Sequence, residues 1–596
     1  MANQLLLATE PQEKLAFIIL LNFYYTRLTV YIIGCWVFNL LSGFLVILKT
    51  KTATQISILS LLPHAIPFLL LSGISKLSER VDDPALVWFT ALAAWRYFRF
   101  FVNLYSFWRY KPASLPTIGT IGLKDVTIIL PTVSVSESDN PDFEECLTTC
   151  LINKPTKVII VTDTDFKATE VNKQLLSIGD KIKGGSSSFL SGLGPIDISG
   201  VDVRVTYAGV ADKRCQMTHA IQYVQTRLTM FLDDHVFLPH LFLDSVVPVF
   251  EDPCVGLCGT KKAVRRKHPE AHSLWGRYWE LFWNVMGALY LTRHNFEIRA
   301  TNAMDGGVFV VSGRAMVVLT EIVQDDDFCK EFTNEHFFFG LFGPLNPDDD
   351  NFITRWVLRH PQNYEIKIQY TDNATVETTL GQYPKFLAQC LRWARTTFRT
   401  NFCALITDRT VWRRLPWTVW TTYIPSLSNL ALFWDAGMFY ALIKTKFYAE
   451  SRNQMQILLA FGGWIYLTKL VKLIPYFRRN PMDFFLFFFP IPAYPLFAYC
   501  HSILKLWAGI TFWNHSWTGR NLGACRVPPG ISQNNTLLQV YMDSRASRDP
   551  TGRASRDASG SGRGFEADPR VSRDARGGGL GFEVDPKASR DATGGK

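Results

Sequence analysis

Apolar residues form long uninterrupted runs near both ends of the chain and short β-branched runs in the middle. Residues 28–48 carry no charge over about the 20 residues that a membrane-spanning helix needs. Residues 56–74 are long enough but include Pro63 and Pro67, which predicts a kinked or re-entrant segment. Residues 84–108 begin apolar and then gain Arg96 and Arg99, the pattern of a helix emerging at a cytosolic face. Towards the other end, 417–443 and 454–474 read as spans, and 483–513 is a third apolar stretch interrupted by "PIPAYP". The first apolar run lies too deep for a signal peptide and has no small-residue cleavage site.

Between these bundles, 112–374 reads as α/β. "DVTIILP" at 125–131, "KVIIVTDTD" at 157–165, "VDVRVTY" at 201–207 and "LTMFLDD" at 228–234 predict strands separated by helical-length segments, the pattern of a parallel doubly wound sheet. Two of these runs end in Asp, and ligands of such sheets sit at the carboxyl ends of strands. Arg109 and Lys111 before this region, with Arg409, Arg413 and Arg414 after it, favour a cytosolic middle, although Lys444, Lys446 and Arg452 fall on the other side of that scheme. From about Met542 the chain turns rich in Gly, Ser, Arg and Asp, with "GFEADPRVSRDA" at Gly564 recurring as "GFEVDPKASRDA" at Gly581. Too few apolar residues remain there to offset the entropy of ordering, so a disordered tail is expected.

Composition sharpens this picture. Only 19% of residues are charged while 14% are aromatic, which points to a membrane protein with a soluble portion. The 11 cysteines show no zinc-type pairs, and Cys146, Cys150, Cys254 and Cys258 are expected as reduced thiols. The net charge of +10 fits membrane-flanking basic residues and a phosphate-rich ligand.

Five clusters carry candidate chemistry. "VTDTD" puts Asp163 and Asp165 at a strand end, either a solvated junction or a carboxylate that accepts hydrogen bonds from a nucleotide. Lys213 and Arg214 stand ahead of a helix, where the dipole disfavours cations unless an anion lies between them and the backbone N–H groups. Asp233, Asp234 and His235 end the fourth strand and offer donors suited to Mg²⁺ or Mn²⁺. "NPDDDNF" has three consecutive acids before a helical pattern, more than capping needs, so that one could serve as a base. In "QCLRWARTTFRT", Gln389, Arg392 and Trp393 share one helical face, while Arg395 and Arg399 continue a basic stripe consistent with a helix at a membrane surface.

Taken in order, these clusters resemble the processive family 2 glycosyltransferases of the hyaluronan, chitin and cellulose synthase type. Among these, the chain is most similar to fungal membrane type 2 glycosyltransferases of the capsule-synthesis and hyphal-growth group, over about 125–520. The resemblance implies a GT-A-type α/β catalytic domain at 112–375 with a Rossmann-like, mostly parallel sheet. It also implies membrane helices at 1–111 and 417–520, interfacial helices at 376–416, and a tail at 521–596. A UDP-sugar would be the donor, a growing cell-surface polysaccharide the acceptor, and Mn²⁺ or Mg²⁺ the cofactor. The protein would lie in the plasma membrane with its catalytic domain in the cytosol and no nucleic-acid partner.

By the same resemblance, Asp350 is the base and Asp349 orients it. Asp163, Lys213, Arg214, Asp233 and Arg392 bind nucleotide, and Asp233, Asp234 and His235 surround the metal. Gln389, Trp393, Ser312 and Gly313 contact acceptor, while "HSWTGR" places Trp517 and Arg520 in a gating loop. That loop is cytosolic in the family, which makes 483–513 interfacial or re-entrant rather than a third crossing. Two departures stand out. "DDH" replaces D-x-D, so either His235 is a ligand or a shortened turn gives that seat to Asp234, and "SWTGR" swaps Gly and Thr relative to W-G-T-R. The alternatives are a non-processive family 2 enzyme acting on a ceramide or dolichyl phosphate, and a transporter or scaffold with a degenerate domain.

Overall fold

The computed structural model describes residues 72–514, apart from 115, 117–118, 137, 187–188, 190–193, 338–342, 429 and 490–491. The runs at 28–48 and nearly all of 56–74, the loop with Trp517 and Arg520, and the tail lie outside the described residues.

The four predicted strands form as β1 Val126–Pro131, β2 Lys157–Thr162, β3 Asp202–Tyr207 and β4 Leu228–Leu232; β1 and β3 start within a residue of expectation, while β2 and β4 end before the acidic residues that close their runs. They pair in parallel in the order β3-β2-β1-β4. Because β1 and β4 are covered on both faces, every one of their residues is buried, which is why they read as continuous apolar runs rather than alternating ones. Helices α1 Pro84–Arg109, α2 Phe143–Ile152, α3 Asp165–Lys183 and α4 Lys213–Ile221 precede or separate these strands.

The second half of the sheet was not legible as strands. It comprises β5 Val236–Phe237, β6 Val255–Val264, β7 Ala315–Leu319, β8 Glu365–Gln369 and β9 Thr375–Thr378. The path continues β4-β7-β6-β9-β5, with β8 also on β6; β7 runs antiparallel to both β4 and β6, while β6 is parallel to β8 and β9. The sheet is thus mostly parallel with an antiparallel insertion. This is a GT-A-like arrangement rather than a uniformly doubly wound one. One large apolar core fills both sides, and Cys146, Cys150, Cys254 and Cys258 are free thiols.

Among the described residues after β4, the helices of eight residues or more are α5 Leu274–Asp305, α6 Asp326–Thr333, α7 Asp349–Arg359, α8 Lys385–Phe402, α9 Ala431–Ile443, α10 Gln454–Val471 and α11 Ala493–Ile510. Among the described residues, α1 is the one helix long and apolar enough to cross a membrane, and it exposes Phe98, Phe101, Tyr105 and Trp108. The expected span at 417–443 is broken. A π-helical turn at Val419–Tyr423 and a short helix Ile424–Ser428 containing Pro425 precede α9, which is 13 residues long. Proline supplies no backbone N–H for a continuing helix, and π-turns mark such irregularities. The stretch at 483–513 divides likewise, into Pro481–Phe487 and α11, and α11 packs along α8 through Ala508, Leu504 and Phe398.

Candidate active site

The carboxyl end of β4 delivers Asp233 into a turn fixed by two backbone hydrogen bonds, Asp233 N to Arg314 O at 3.0 Å and Val236 N to Asp233 O at 3.2 Å. Lys213 opens α4 opposite it. Its ammonium lies 2.8 Å from Asp233 Oδ1 and 2.7 Å from Asp349 Oδ2, so it bridges the strand end and the acidic triplet. Burial opposes its charge, but the two carboxylates outweigh burial and hold its pKa well above the usual lysine range. In the same balance, burial would raise Asp233, yet Lys213 brings it down to about 2.

The triplet itself divides into three roles. Asp348 is wholly buried and bound by Arg399, with Nε to Oδ2 and Nη2 to Oδ1 both at 2.7 Å; Thr396 adds a third donor at 2.6 Å. Asp349 takes Lys213. Asp350 faces a cavity of about 1100 Å³. Its Oδ2 accepts from Gly313 N–H at 3.1 Å and its Oδ1 from Asn351 N–H at 2.9 Å. Burial, then the neighbouring Asp349, pushes the Asp350 carboxyl up to about 6, with the Gly313 hydrogen bond and Lys213 opposing. A carboxylate so poised is suited to accept a proton near neutral pH. Gly313 allows the loop this close, since a Cβ there would lie 3.2 Å from Asp349 Oδ2 and 3.3 Å from Lys213 Nζ.

Asp234 and His235 line the cavity beside Asp233. Asp234 Oδ2 accepts from Thr132 Oγ1 at 2.6 Å and its Oδ1 lies 3.1 Å from His235 Nδ1. Among the described residues, no group of three His, Cys, Asp or Glu side chains is gathered into a metal cage.

Helix α8 closes the cavity with Gln389, Arg392 and Trp393. Gln389 Oε1 accepts from Gly381 N–H at 3.2 Å, tying the helix to the segment after β9. The Trp393 ring stacks on Tyr290 of α5 at 5.7 Å and 18°. Arg314, with Ser312 and Gly313 on the same wall, holds its guanidinium 5.3 Å from the Trp393 centroid.

Two expected nucleotide contacts do not reach this cavity. Arg214 is fully buried, donating to Phe332 O at 2.8 Å and to Glu335 at 2.9 Å. The cap of α4 comes instead from Asp212, which accepts from Cys215 N–H at 3.0 Å. Asp163 is held by Lys167, one helical turn into α3, at 2.9 Å. Arg399 differs from its expectation too, being a buried clamp rather than part of a solvated stripe.

Sequence reasoning missed Tyr290, which lines the cavity, and Lys262, a buried cation that is not part of its lining. Lys262 lies on β6, its ammonium 3.2 Å from His294 Nδ1, and burial lowers it to about 7. No local motif marks either residue. Tyr290 could be found only by recognising α5 as a wall of the site.

Residues 197–396 match the family described as glycosyltransferase like family 2. A type 2 glycosyltransferase of Zymoseptoria tritici is 36% identical over 475 residues, 79% of this chain and 90% of the relative. One of Pyricularia oryzae is 33% identical over 451 residues, 74% of this chain and 85% of the relative. Among solved structures, a mannosyltransferase of Pyrobaculum calidifontis in complex with GDP-Man and Mn²⁺ aligns with a TM-score of 0.40 at 15% identity. That alignment covers 70% of this chain and 99% of the other. The chain belongs to the family 2 glycosyltransferases and is a sugar-nucleotide-using enzyme.

Proposed function

We propose that this protein is a membrane-embedded, inverting glycosyltransferase that elongates, and passes outward, a cell-surface polysaccharide from a UDP-sugar. The observation that carries this reading is the continuity of the cavity. It runs from Asp350 past Trp393 and Tyr290 into the space between α1, α10 and α11, where Arg99, Lys472 and Phe497 line it. An enzyme that transfers once to a small acceptor has no use for such an extension, whereas an elongating chain must leave the base by a path of this kind.

Asp350 would take the proton of the acceptor hydroxyl as that oxygen bonds to the anomeric carbon from the face opposite the diphosphate. The C–O bond to UDP breaks with inversion. Asp349 keeps Lys213 between the base and Asp233, so that one cation steadies both carboxylates. Trp393, backed by Tyr290, offers an aromatic face to the acceptor sugar, and Arg392 faces the phosphates. Asp233, Asp234 and His235 present oxygen and imidazole donors suited to Mn²⁺ or Mg²⁺, with the diphosphate supplying further oxygens. A divalent ion there would offset charge on the departing diphosphate. Arg214 and Asp163, by their placement, would brace the site rather than touch the donor. Trp517 and Arg520 remain assigned to a loop that closes over nucleotide, and the enzyme to the plasma membrane with its catalytic domain in the cytosol.

Membranes bearing the full-length protein, supplied in turn with radiolabelled UDP-glucose, UDP-N-acetylglucosamine and UDP-glucuronate, test the reading. Label in a polymer that stays in the aqueous phase supports it. Label that enters organic solvent identifies a lipid acceptor and overturns the polymerase assignment.

A further inference from the structure

Behind the wall of the cavity that carries Tyr290 stands a buried cation. Successive residues of a strand face opposite ways, so on β6 Lys261 turns out to Asp372 at 3.5 Å while Lys262 turns in towards α5 and is 4% exposed. Asn295 of α5 pins the strand there, accepting from Lys262 N–H at 3.2 Å and donating to Lys262 O at 2.6 Å. That register sets the Lys262 ammonium 3.2 Å from Nδ1 of His294. Among the described residues this ring nitrogen is the ammonium's one hydrogen-bond partner, and no carboxylate pairs with it.

His294, unlike Lys262, lines the cavity. It follows Tyr290 by one helical turn, about 5.4 Å along the same face of α5, and Tyr290 is the ring stacked on Trp393. Phe309 meets the imidazole at 4.8 Å and 85°, which fixes the ring plane. Nε2 has no protein partner among the described residues. An ammonium only donates, so Nδ1 accepts and the ring hydrogen sits on Nε2. Burial, then the charges of Lys262, Arg293 and Arg314, hold the His294 pKa well below the usual histidine range, and the ring is neutral. Packing alone does not account for this pair. A buried charge with a single neutral partner costs stability that an apolar residue of similar volume would not. What the lysine supplies is a ring of fixed orientation and tautomer.

We infer that His294 recognises the acceptor and that Lys262 positions it, Nε2–H donating to an oxygen of the acceptor sugar chain where it passes Trp393. That oxygen is a ring hydroxyl or the carbonyl of an acetamido group. The inference deepens the elongation reading and rests on its acceptor being a saccharide.

The full-length protein in lipid vesicles, saturated with UDP, can be offered a β-1,4-linked hexasaccharide of glucose and one of N-acetylglucosamine. At pH 6.5 the ammonium of Lys262 predominates, since burial lowers that residue to about 7. His294→Ala should weaken binding of at least one hexasaccharide about three- to tenfold, the scale of one neutral hydrogen bond, with UDP affinity held within about twofold. A loss with both identifies a ring hydroxyl; a loss with the acetamido form alone identifies its carbonyl. Lys262→Met keeps the volume and removes the buried charge, so it should weaken the same binding about threefold yet melt no lower than wild type. Added to His294→Ala it should cost no further binding, because the lysine acts through the ring. A lysine that served only the fold would lower melting and add its cost in that background. Unchanged binding by His294→Ala, additive losses in the double variant, lost UDP affinity in place of lost hexasaccharide affinity, or a wild type that binds neither hexasaccharide overturns the inference. The elongation reading fails separately, when label from the UDP-sugar enters organic solvent instead of polymer.

Discussion

Arg399 holds Asp348 in a two-pronged grip, Nε to Oδ2 and Nη2 to Oδ1 at 2.7 Å each, with both side chains almost fully excluded from solvent. The third nitrogen, Nη1, donates to Phe512 O at 2.7 Å, so one guanidinium joins the acidic triplet to α8 and to the end of α11. Arg399→Ala should therefore cost about 3–5 kcal/mol, the scale for a buried charge left alone. Arg399→Lys should recover only part of that, because an ammonium cannot reproduce the fork. Melting of the solubilised variants checks the order. Pairing Arg399→Gln with Asp348→Asn should melt above Arg399→Gln alone, since the orphaned carboxylate is gone.

Asp350→Asn should lower transfer by about 10²- to 10⁴-fold, the usual contribution of a positioned base, while leaving UDP affinity within about twofold. The amide keeps the acceptor geometry for Gly313 N–H but cannot take a proton. Near wild-type turnover in this variant would remove Asp350 from the mechanism.

The same carboxyl sets a pH dependence. Burial and Asp349 raise it to about 6, so the form able to accept a proton predominates above that value and transfer should fall about tenfold per pH unit below it. Its folded pKa exceeds the unfolded value of about 4, so the native state binds the extra proton in that window and Asp350 destabilises the fold increasingly as pH rises through 6. Asp350→Asn should accordingly melt a few degrees above wild type at pH 7.5, with the difference vanishing towards pH 4. A variant that melts lower than wild type at pH 7.5 contradicts this.

β1, β2 and β4 were readable because they sit in the sheet interior, where burial on both faces leaves unbroken β-branched runs, whereas β3, a part-exposed strand at the sheet edge, was readable from its alternating β-branched residues. β6 to β9 were not, since β6 mixes Lys261 and Lys262 with Gly256 and Gly259, and its partners lie far along the chain. Residues bearing chemistry were legible as types, and Lys213, Asp233, Asp349 and Asp350 do meet. Direction was not legible. Adjacent Lys213 and Arg214 point one to the cavity and one to Glu335, and consecutive Asp348, Asp349 and Asp350 take three different partners. A sequence run gives no indication of which successive side chain a helix start will turn inward.

The turn "DDH" yields the sharpest metal prediction. Asp233 is committed to Lys213, whereas Asp234 is held by neutral or titratable donors, Thr132 and His235, which a cation could displace at small cost. Asp234 is thus the carboxylate better placed to exchange its partners for Mn²⁺ or Mg²⁺. Asp234→Ala should abolish the dependence of UDP binding on either ion. His235→Ala should be milder, with little change in the preference between them, because Asp234 keeps its Thr132 anchor. If His235 itself binds the ion, His235→Asp should move preference from Mn²⁺ towards Mg²⁺, since imidazole suits the softer ion. UDP affinity measured against both ions for the three variants decides between these outcomes. Full metal-dependent binding by both alanine variants would take the site away from this turn altogether.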